Sequence, residues 1–162
     1  MRFIRGAPIQ VKFPVQSVGK RGNNVKVRII TTTAKQPVRA NPSDAGLDLF
    51  ADEELVIKKD SLAKIRTGMA IELPEETVGL IFDRSSLGSK GLKVHGGVID
   101  QGYRGEIIVV IHNHSNSDYK IELGDKIAQL IVLNCLFPVI EITDSLDETS
   151  RGKNGFGSSG KN

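Results

Sequence analysis

The sequence predicts an all-β fold, a jelly-roll-like β-barrel of many short strands. Short apolar runs recur at a spacing of about ten residues and are separated by glycine, proline or aspartate, which is typical of all-β barrels and sandwiches. No window of a dozen residues keeps a clean helical period, so long helices are not expected. With 162 residues, the chain fits one domain that buries roughly two-thirds of its unfolded surface.

The predicted strands begin at Val25, where apolar and basic residues alternate as far as Ile29 with the period of a half-buried strand. A polar, proline-containing loop is expected at 32–44. Further apolar runs follow at 45–51, 55–57, 63–66, 69–73, 78–82, 92–94, 106–112, 119–122, 127–133 and 139–142. The candidates for a helix are a short piece at 85–90 and a piece of the run around Ala128.

Composition divides the chain into three segments. Residues 1–24 show no sustained period and contain Pro8 and Pro14, which predicts a basic, flexible N-terminal extension. Residues 25–144 form the predicted β-barrel domain. Residues 145–162 are polar and end in a stretch rich in glycine and serine, which predicts a mobile C-terminal tail.

Charge is distributed unevenly along the chain. Residues 1–43 carry nine Lys or Arg and no Asp or Glu, whereas the remaining 119 residues carry 13 basic and 19 acidic residues. A basic leader can make weak contact with nucleic acid, and it can equally be a solvated extension, a targeting peptide or a remnant of cloning. It lacks the metal-ligand pattern and the interleaved aromatic residues of the common nucleic-acid-binding motifs.

The single cysteine, Cys135, lies in an apolar run, where we expect it to be part of the core. It excludes an intramolecular disulfide and favours a reducing, intracellular setting. No run approaches the roughly 18 apolar residues of a membrane span, and the first twenty residues lack the apolar block of a signal peptide. We therefore expect a soluble protein of the nucleus or cytoplasm, and the basic leader leaves organellar targeting open.

The stretch GGVIDQGYRG at 96–105 has the composition of a ligand site. It places Asp100, Tyr103 and Arg104 between glycines that allow the backbone to approach a ligand closely. An ordinary β-turn is the alternative. By contrast, His112 and His114 share one side of a strand end, but no further ligand is evident nearby, so we do not expect His95, His112 and His114 to form a metal site.

Four more segments place polar residues among glycines or at strand ends, and with 96–105 they resemble, in order and spacing, the five motifs of the homotrimeric dUTPase family. They are AGLDLF at 45–50, RSSLGSKG at 84–91, GDKIAQLI at 124–131 and RGKNGFGSSG at 151–160. The resemblance covers 25–162. It implies hydrolysis of dUTP to dUMP and pyrophosphate with Mg²⁺, an activity that limits uracil incorporation into DNA and supplies dUMP for dTMP synthesis. It also implies a homotrimer whose sites lie between subunits and whose C-terminal tails are exchanged between them.

The resemblance assigns roles to particular residues. Asp100 matches the aspartate that activates water, and Asp48 matches the acidic residue that positions Mg²⁺ through bound water. The residues that match phosphate-binding positions are Arg84, Ser85, Ser86, Gln129, Arg151, Ser158 and Ser159. A narrow hairpin at 92–103 is expected to read the uracil edge with the backbone of Gly97, Val98 and Ile99, and Tyr103 to pack against the deoxyribose. Phe156, followed by Gly157, matches the aromatic residue that stacks on uracil when the tail closes.

The chain departs from the family pattern at Gln101 and Gly102, where many members carry an acidic pair. We expect this difference to loosen the turn, and its effect on activity stays open.

The alternatives to an enzyme are a regulatory protein that uses nucleotide-dependent tail closure and a nucleic-acid-binding protein that uses its leader. The related dCTP deaminases share a similar fold, but Phe156 and its tail favour dUTP hydrolysis.

Overall fold

The computed structural model describes residues 24–153, and it confirms the predicted all-β fold. Within this range there are ten strands and one short helix. The elements are β1 (Lys26–Ile29), β2 (Leu47–Phe50), β3 (Leu55–Ile57), β4 (Ser61–Glu72), β5 (Thr77–Phe82), α1 (Ser85–Gly88), β6 (Leu92–His95), β7 (Val98–Ile99), β8 (Glu106–Asn113), β9 (Tyr119–Ile121) and β10 (Lys126–Asn134).

The strands form two four-stranded antiparallel sheets and one two-stranded sheet, in a jelly-roll-like arrangement. Their orders are β1-β4-β8-β6, β2-β10-β5-β7 and β3-β9. One core joins the inner faces, and its most deeply buried side chains include Leu49, Ile65, Val109, Ile127 and Leu130. In β8 buried and partly exposed residues alternate over the whole strand, the period of a strand with one face toward the core.

One long strand, β4, replaces the two runs predicted at 63–66 and 69–73. Its pairing with β8 shifts register between Arg66 and Ala70, which marks an irregularity of the β-bulge type. Gly68 lies inside it with φ 63°, a left-handed conformation that glycine adopts without steric cost. The strand therefore continues through Gly68, where the sequence pattern indicated a break.

Three other expectations were wrong. Ala128 lies in the middle of β10 rather than in a helix, because that strand is paired on both sides; the short helix at 85–88 is the candidate that is confirmed. No strand follows β10 as far as residue 153, and Val139 and Ile142 are 95% and 96% exposed instead of forming a strand. Cys135 is half-buried at the end of β10 and is not part of the core.

β1 is confirmed as a strand, but it is exposed rather than half-buried. Within residues 24–153 it is an edge strand that pairs only with β4, and Val27 and Ile29 remain 38% and 39% exposed. The segment after β10 is also apolar and exposed in the single chain. Its exposed residues are Leu136, Phe137, Val139, Ile140, Ile142 and Leu146. An apolar surface of this extent is typical of a face that another protein chain covers.

Several sequence expectations concern residues outside the described range. Residues 1–23 contain nearly all of the expected extension, and Phe156, Gly157, Ser158 and Ser159 follow residue 153. No helix within residues 24–153 is long and apolar enough to cross a membrane.

Candidate active site

The candidate site is built around the carboxylate of Asp48 on β2. Its side chain is only 13% exposed, and both oxygens contact cations: Arg84 Nε lies 3.0 Å from Oδ1, and Lys126 Nζ lies 2.7 Å from Oδ2. Arg84 also donates a hydrogen bond to the main-chain carbonyl of Lys126 at 3.5 Å. One carboxylate between two cations leaves a net positive charge, which suits an anionic ligand.

Strand pairing explains why these side chains meet. β10 lies between β2 and β5, and it pairs Gln129 with Asp48 on one side and with Phe82 on the other. A β-bulge shifts the register between Lys126 and Ala128. Because of this extra residue, Lys126 and Gln129 lie on the same face of the sheet although they are three positions apart.

Arg84 enters the site from the end of β5. It is the N-cap of α1, with an extended backbone at φ −82° and ψ 140°, and it is followed by the exposed Ser85 and Ser86. Gln129 Nε2 donates a hydrogen bond to the carbonyl of Asp83 at 2.8 Å and so holds the residue that precedes Arg84. The predicted residues of the first, second and fourth motifs therefore converge on one place.

Two cavities of about 360 Å³ each lie on either side of Arg84. Asp48, Ser85 and Gln129 line one of them, together with residues 40 and 44–46. Ser86 and Lys126 line the other, together with residues 87, 90, 119, 121, 124 and 125. Their size is within the range of small-molecule sites.

The segment at 96–105 approaches β5 from the opposite edge of the same sheet. Ile81 N–H donates to the carbonyl of Gly97 at 2.8 Å, and β7 continues the pairing with β5. Gly97 has φ 91°, and a Cβ there would lie 2.7 Å from the Ile81 carbonyl oxygen, so a side chain is excluded. The expected hairpin at 92–103 is not a two-stranded unit, because β6 pairs with β8 and β7 pairs with β5.

Asp100 and Tyr103 lie on an exposed turn after β7. The N–H of Tyr103 donates to the carbonyl of Asp100 at 3.0 Å and closes the turn. The Tyr103 hydroxyl donates to the carbonyl of Glu106 at 3.0 Å, and the phenol side chain is 44% exposed. The ring is thus held by its hydroxyl and stays partly exposed.

The turn is anchored rather than loosened by Gln101, contrary to expectation. The side-chain carbonyl of Gln101 accepts a hydrogen bond of 3.0 Å from the N–H of Glu76 in the β4–β5 connection. Arg104 adds hydrogen bonds of 2.7 and 2.9 Å to the carbonyls of Gln101 and Tyr103. The position of Asp100 is therefore set by contacts on both sides of the turn.

Within residues 24–153, a single chain does not bring all the predicted site residues together. Asp48 lies on β2 and Ile99 on β7, at the two edges of the sheet β2-β10-β5-β7. Three strand spacings separate these edges, which is about 14 Å. Arg151 lies at a turn in the exposed segment after β10, where Gly152 N–H donates to the carbonyl of Thr149 at 3.0 Å.

Sequence reasoning missed Lys126 as a site residue. The available signal was a basic side chain within the fourth motif, three residues before Gln129. In a regular strand that spacing puts the two side chains on opposite faces, and the β-bulge that reverses this is not readable from the sequence.

Two groups of side chains have the chemistry of metal ligands. The carboxylates of Asp44 and Asp48 line the same cavity, and such oxygen donors suit a hard cation such as Mg²⁺. Since both oxygens of Asp48 already face cations, a water-mediated contact fits this donor set better than direct ligation. The second group is His95, His112 and His114: β6 brings His95 beside the other two, a neighbour that was not evident from the sequence.

Comparisons with known proteins point to one family. The family model described as dUTPase matches residues 32–160. The deoxyuridine 5'-triphosphate nucleotidohydrolase of Clostridium tetani is 43% identical over 140 residues, which are 85% of this chain and 97% of that protein. The dUTPase of Staphylococcus bacteriophage 80alpha with dUPNHPP matches with a TM-score of 0.82 and 30% identity, over 86% of this chain and 99% of that one. A phage phi11 dUTPase structure is described as revealing the coordination of a structural Mg(II) ion. It matches with a TM-score of 0.73 and 29% identity, over 78% of this chain and 100% of that one.

Asp83 links the candidate site to β6. Its carboxylate accepts hydrogen bonds of 2.6 Å from Lys93 Nζ and from the N–H of Val94. Burial opposes ionisation of the carboxyl group, but these hydrogen bonds and the charge of Lys93 outweigh it and hold the pKa of Asp83 below its ordinary value. A depressed pKa means that the ionised form stabilises the folded state above pH 3.8, and that this stabilisation is lost as the pH falls through the folded-state pKa.

We therefore expect Asp83→Asn to lower the free energy of unfolding by about 1–3 kcal/mol near neutral pH, since charge-assisted hydrogen bonds are lost. The difference from the unsubstituted chain should shrink as the pH falls from 3.8 through the lower folded-state pKa, because the carboxyl group then becomes protonated in the folded state as well. The free energy of unfolding is measured by urea unfolding, followed by circular dichroism, at about six pH values between 2.5 and 7. A difference that stays constant over the whole range contradicts the assignment.

Proposed function

The chain belongs to the dUTPase family and is a dUTP diphosphatase, and we propose that Asp100 activates the water that attacks the substrate. The reaction converts dUTP to dUMP and pyrophosphate. In the proposed step, the Asp100 carboxylate takes a proton from water as the water oxygen forms a bond to the α-phosphorus. The bond from that phosphorus to its bridging oxygen breaks, and pyrophosphate leaves with the electron pair.

Exposure and freedom from other bonds support this role for Asp100. Within residues 24–153, no hydrogen bond or ion pair engages its carboxylate, although the carbonyl of the same residue holds the turn. A carboxylate that is fixed through its backbone but unoccupied at its oxygens can accept a proton from water. This is the single observation that carries the catalytic assignment.

The phosphate chain is proposed to lie in the cavities beside Arg84. Arg84 and Lys126 bring two positive charges, and Ser85, Ser86 and Gln129 add neutral donors. Such fixed donors stabilise the negative charge that develops on the leaving pyrophosphate without reorganising during the reaction. The pairing of both cations with Asp48 keeps them in position before the nucleotide arrives.

Mg²⁺ is the cofactor that we propose for this site. Asp48 would hold it through water, because its oxygens contact Arg84 and Lys126, and the nucleotide phosphates would supply the direct ligands. When bound, Mg²⁺ supplies neutralisation of phosphate charge. The metal in the phage phi11 dUTPase structure supports a divalent cation in the family.

Discrimination for uracil and deoxyribose is proposed to come from the segment at 97–103. The backbone of Gly97, Val98 and Ile99 would hydrogen-bond the edge of the base, and the exposed part of the Tyr103 ring would pack against the sugar. The turn is rigid because of Gln101 and Arg104, which supports selective recognition. A site that hydrogen-bonds its ligand in this way rejects mismatched edges by about 10⁴-fold or more.

A homotrimer with shared sites is proposed as the active assembly. Asp48 and Ile99 lie at opposite edges of one sheet, so one chain offers two half-sites instead of one complete site. The exposed apolar residues of β1 and of 136–146 offer surface for neighbouring copies. We further propose that the C-terminal tails are exchanged between subunits and that the chain divides into segments at 1–24, 25–144 and 145–162. We also propose an intracellular location and weak contact of residues 1–24 with nucleic acid.

Substitution of Asp100 tests the catalytic assignment. We expect Asp100→Asn to lower kcat for pyrophosphate release from dUTP by about 10²–10⁴-fold with little change in KM, because asparagine keeps the shape but cannot take the proton. Asp118→Asn, which changes an exposed carboxylate beside Lys58, is the control and should keep full activity. Release from dTTP, dCTP and UTP should be slow in every case. An Asp100→Asn protein with ordinary kcat would refute the role.

Deletion of residues 150–162 tests the role that we propose for Arg151, Phe156, Gly157, Ser158 and Ser159. We propose that this tail closes over the nucleotide, with Phe156 stacking on uracil, an interaction worth about 1–3 kcal/mol. The shortened chain should keep its circular dichroism spectrum and lose most turnover. Phe156→Leu, which keeps the tail but removes the aromatic face, should weaken nucleotide binding. Full turnover after the deletion would contradict tail closure.

A further inference from the structure

The three histidines of the chain form a cluster that the proposed reaction does not use. The whole sequence contains three histidines, and all of them converge at the β6 edge of the sheet β1-β4-β8-β6. We propose that His95, His112 and His114 bind one divalent transition-metal ion, Zn²⁺. This site would be separate in chemistry from the oxygen donors around Asp48.

Strand register brings the histidines to one face. β6 pairs with β8 so that Lys93 faces His112 and His95 faces Val110. His95 is thus two residues from the partner of His112, which puts it on the same face in the diagonal position. His114 follows His112 by two residues and therefore shares that face. Its N–H donates to the carbonyl of Gly91 at 2.8 Å, which ties it to the start of β6.

The distances fit three ligands of one ion. Ring nitrogens of the three side chains all lie within 4.8 Å of one another. His112 Nδ1 is 2.8 and 2.9 Å from the two ring nitrogens of His114. Tetrahedral Zn²⁺ with bonds of about 2.0–2.1 Å needs nitrogens roughly 3.4 Å apart, so the rings of His112 and His114 would move apart and rotate when they bind the ion. The ring centroid of His95 lies 5.8 Å from the ring centroid of His112 and 6.3 Å from that of His114.

Asp60 lies beside His112 on the side away from His114. Its carboxylate lies 3.7 Å from His112 Nε2, the ring nitrogen opposite the one that faces His114. The N–H of Asp60 donates to the carbonyl of Asn113 at 2.8 Å, which holds the backbone of Asp60 beside the end of β8. In the proposed site the exposed carboxylate would move closer and accept a hydrogen bond from Nε2, so that Nδ1 is free to bind the ion. Histidine ligands of metals commonly have this partner.

The loop that carries His114 is held by a buried amide. Asn113 is fully buried, and its Nδ2 donates to the carbonyls of Ile57 at 3.0 Å and Ser117 at 2.8 Å. Its Oδ1 accepts hydrogen bonds from the N–H and the hydroxyl of Ser115 at 3.0 and 2.6 Å. All of its hydrogen-bonding groups are used inside the fold, so the residues on either side keep defined positions.

The donor set selects the class of ion and its coordination. Imidazole nitrogens suit Zn²⁺, Ni²⁺ and Cu²⁺, whereas Mg²⁺ prefers oxygen. Three histidines leave a fourth position, and the exposure of His95 and His114 opens it to water. A bound ion would join β6 to the end of β8 immediately before Gly96, where the segment that carries Asp100 begins. It would therefore stabilise the base of that segment.

The test uses the full chain without a polyhistidine tag, stripped of metal with a chelator and dialysed. Titration with ZnCl₂ by calorimetry should give one Zn²⁺ per chain with a Kd at or below about 1 µM, and the thermal unfolding midpoint should rise. Substitution with Co²⁺ should give the strong visible absorption of tetrahedral nitrogen ligation. None of these readouts depends on dUTP hydrolysis, so failure here leaves the proposed function intact.

Variants locate the ion. His112→Ala and His114→Gln should each weaken binding by at least about 100-fold, and Asp60→Asn by about 10–100-fold. Asp118→Asn, a nearby exposed carboxylate paired with Lys58, and Cys135→Ser should bind as the unsubstituted chain does. His114→Gln keeps the test valid if the more buried His112 is needed for folding. Binding far below one Zn²⁺ per chain, or binding that survives the histidine substitutions, overturns the proposal.

Discussion

The pairing of β10 with β2 on one side and β5 on the other is the constraint on which the site depends. It places Gln129 beside Asp48 and, through the β-bulge, turns Lys126 onto the same face. It also makes β5 the partner of β7, so the segment with Asp100 emerges at the far edge of the sheet. The same hydrogen bonds thus assemble the proposed anion-binding half of the site and separate it from the turn that carries Asp100.

Electrostatics follow from this arrangement. Arg84 and Lys126 share the Asp48 carboxylate, which is largely shielded from water, so each cation is held by an ion pair with reduced screening. These two cations carry one more unit of charge than the Asp48 carboxylate that they share. Asp83, held ionised by Lys93 and Val94, fixes the residue next to Arg84 and connects the anion-binding half to β6, where the histidine cluster lies.

Much of the fold and part of the site could be predicted from the sequence, because alternation and turn residues are local signals. The strand Leu55–Ile57 has the predicted bounds, and Asp48, Arg84 and Gln129 converge as the motifs suggested. Features that depend on pairing could not be read. Gly68 lies within β4 instead of ending a strand, Lys126 needs a bulge to reach Asp48, and His95 meets His112 only through the register of β6 and β8.

A mixing experiment tests the central claim that each chain carries two half-sites completed by neighbours. Asp100→Asn and Arg84→Ala chains, each inactive alone, are unfolded, mixed in equal amounts and refolded, and pyrophosphate release from dUTP is measured. If a site takes Asp100 from one chain and Arg84 from another, random assembly restores about a quarter of the sites. Activity no greater than the sum of the two separate variants would contradict the account, since it would mean that one chain supplies both residues.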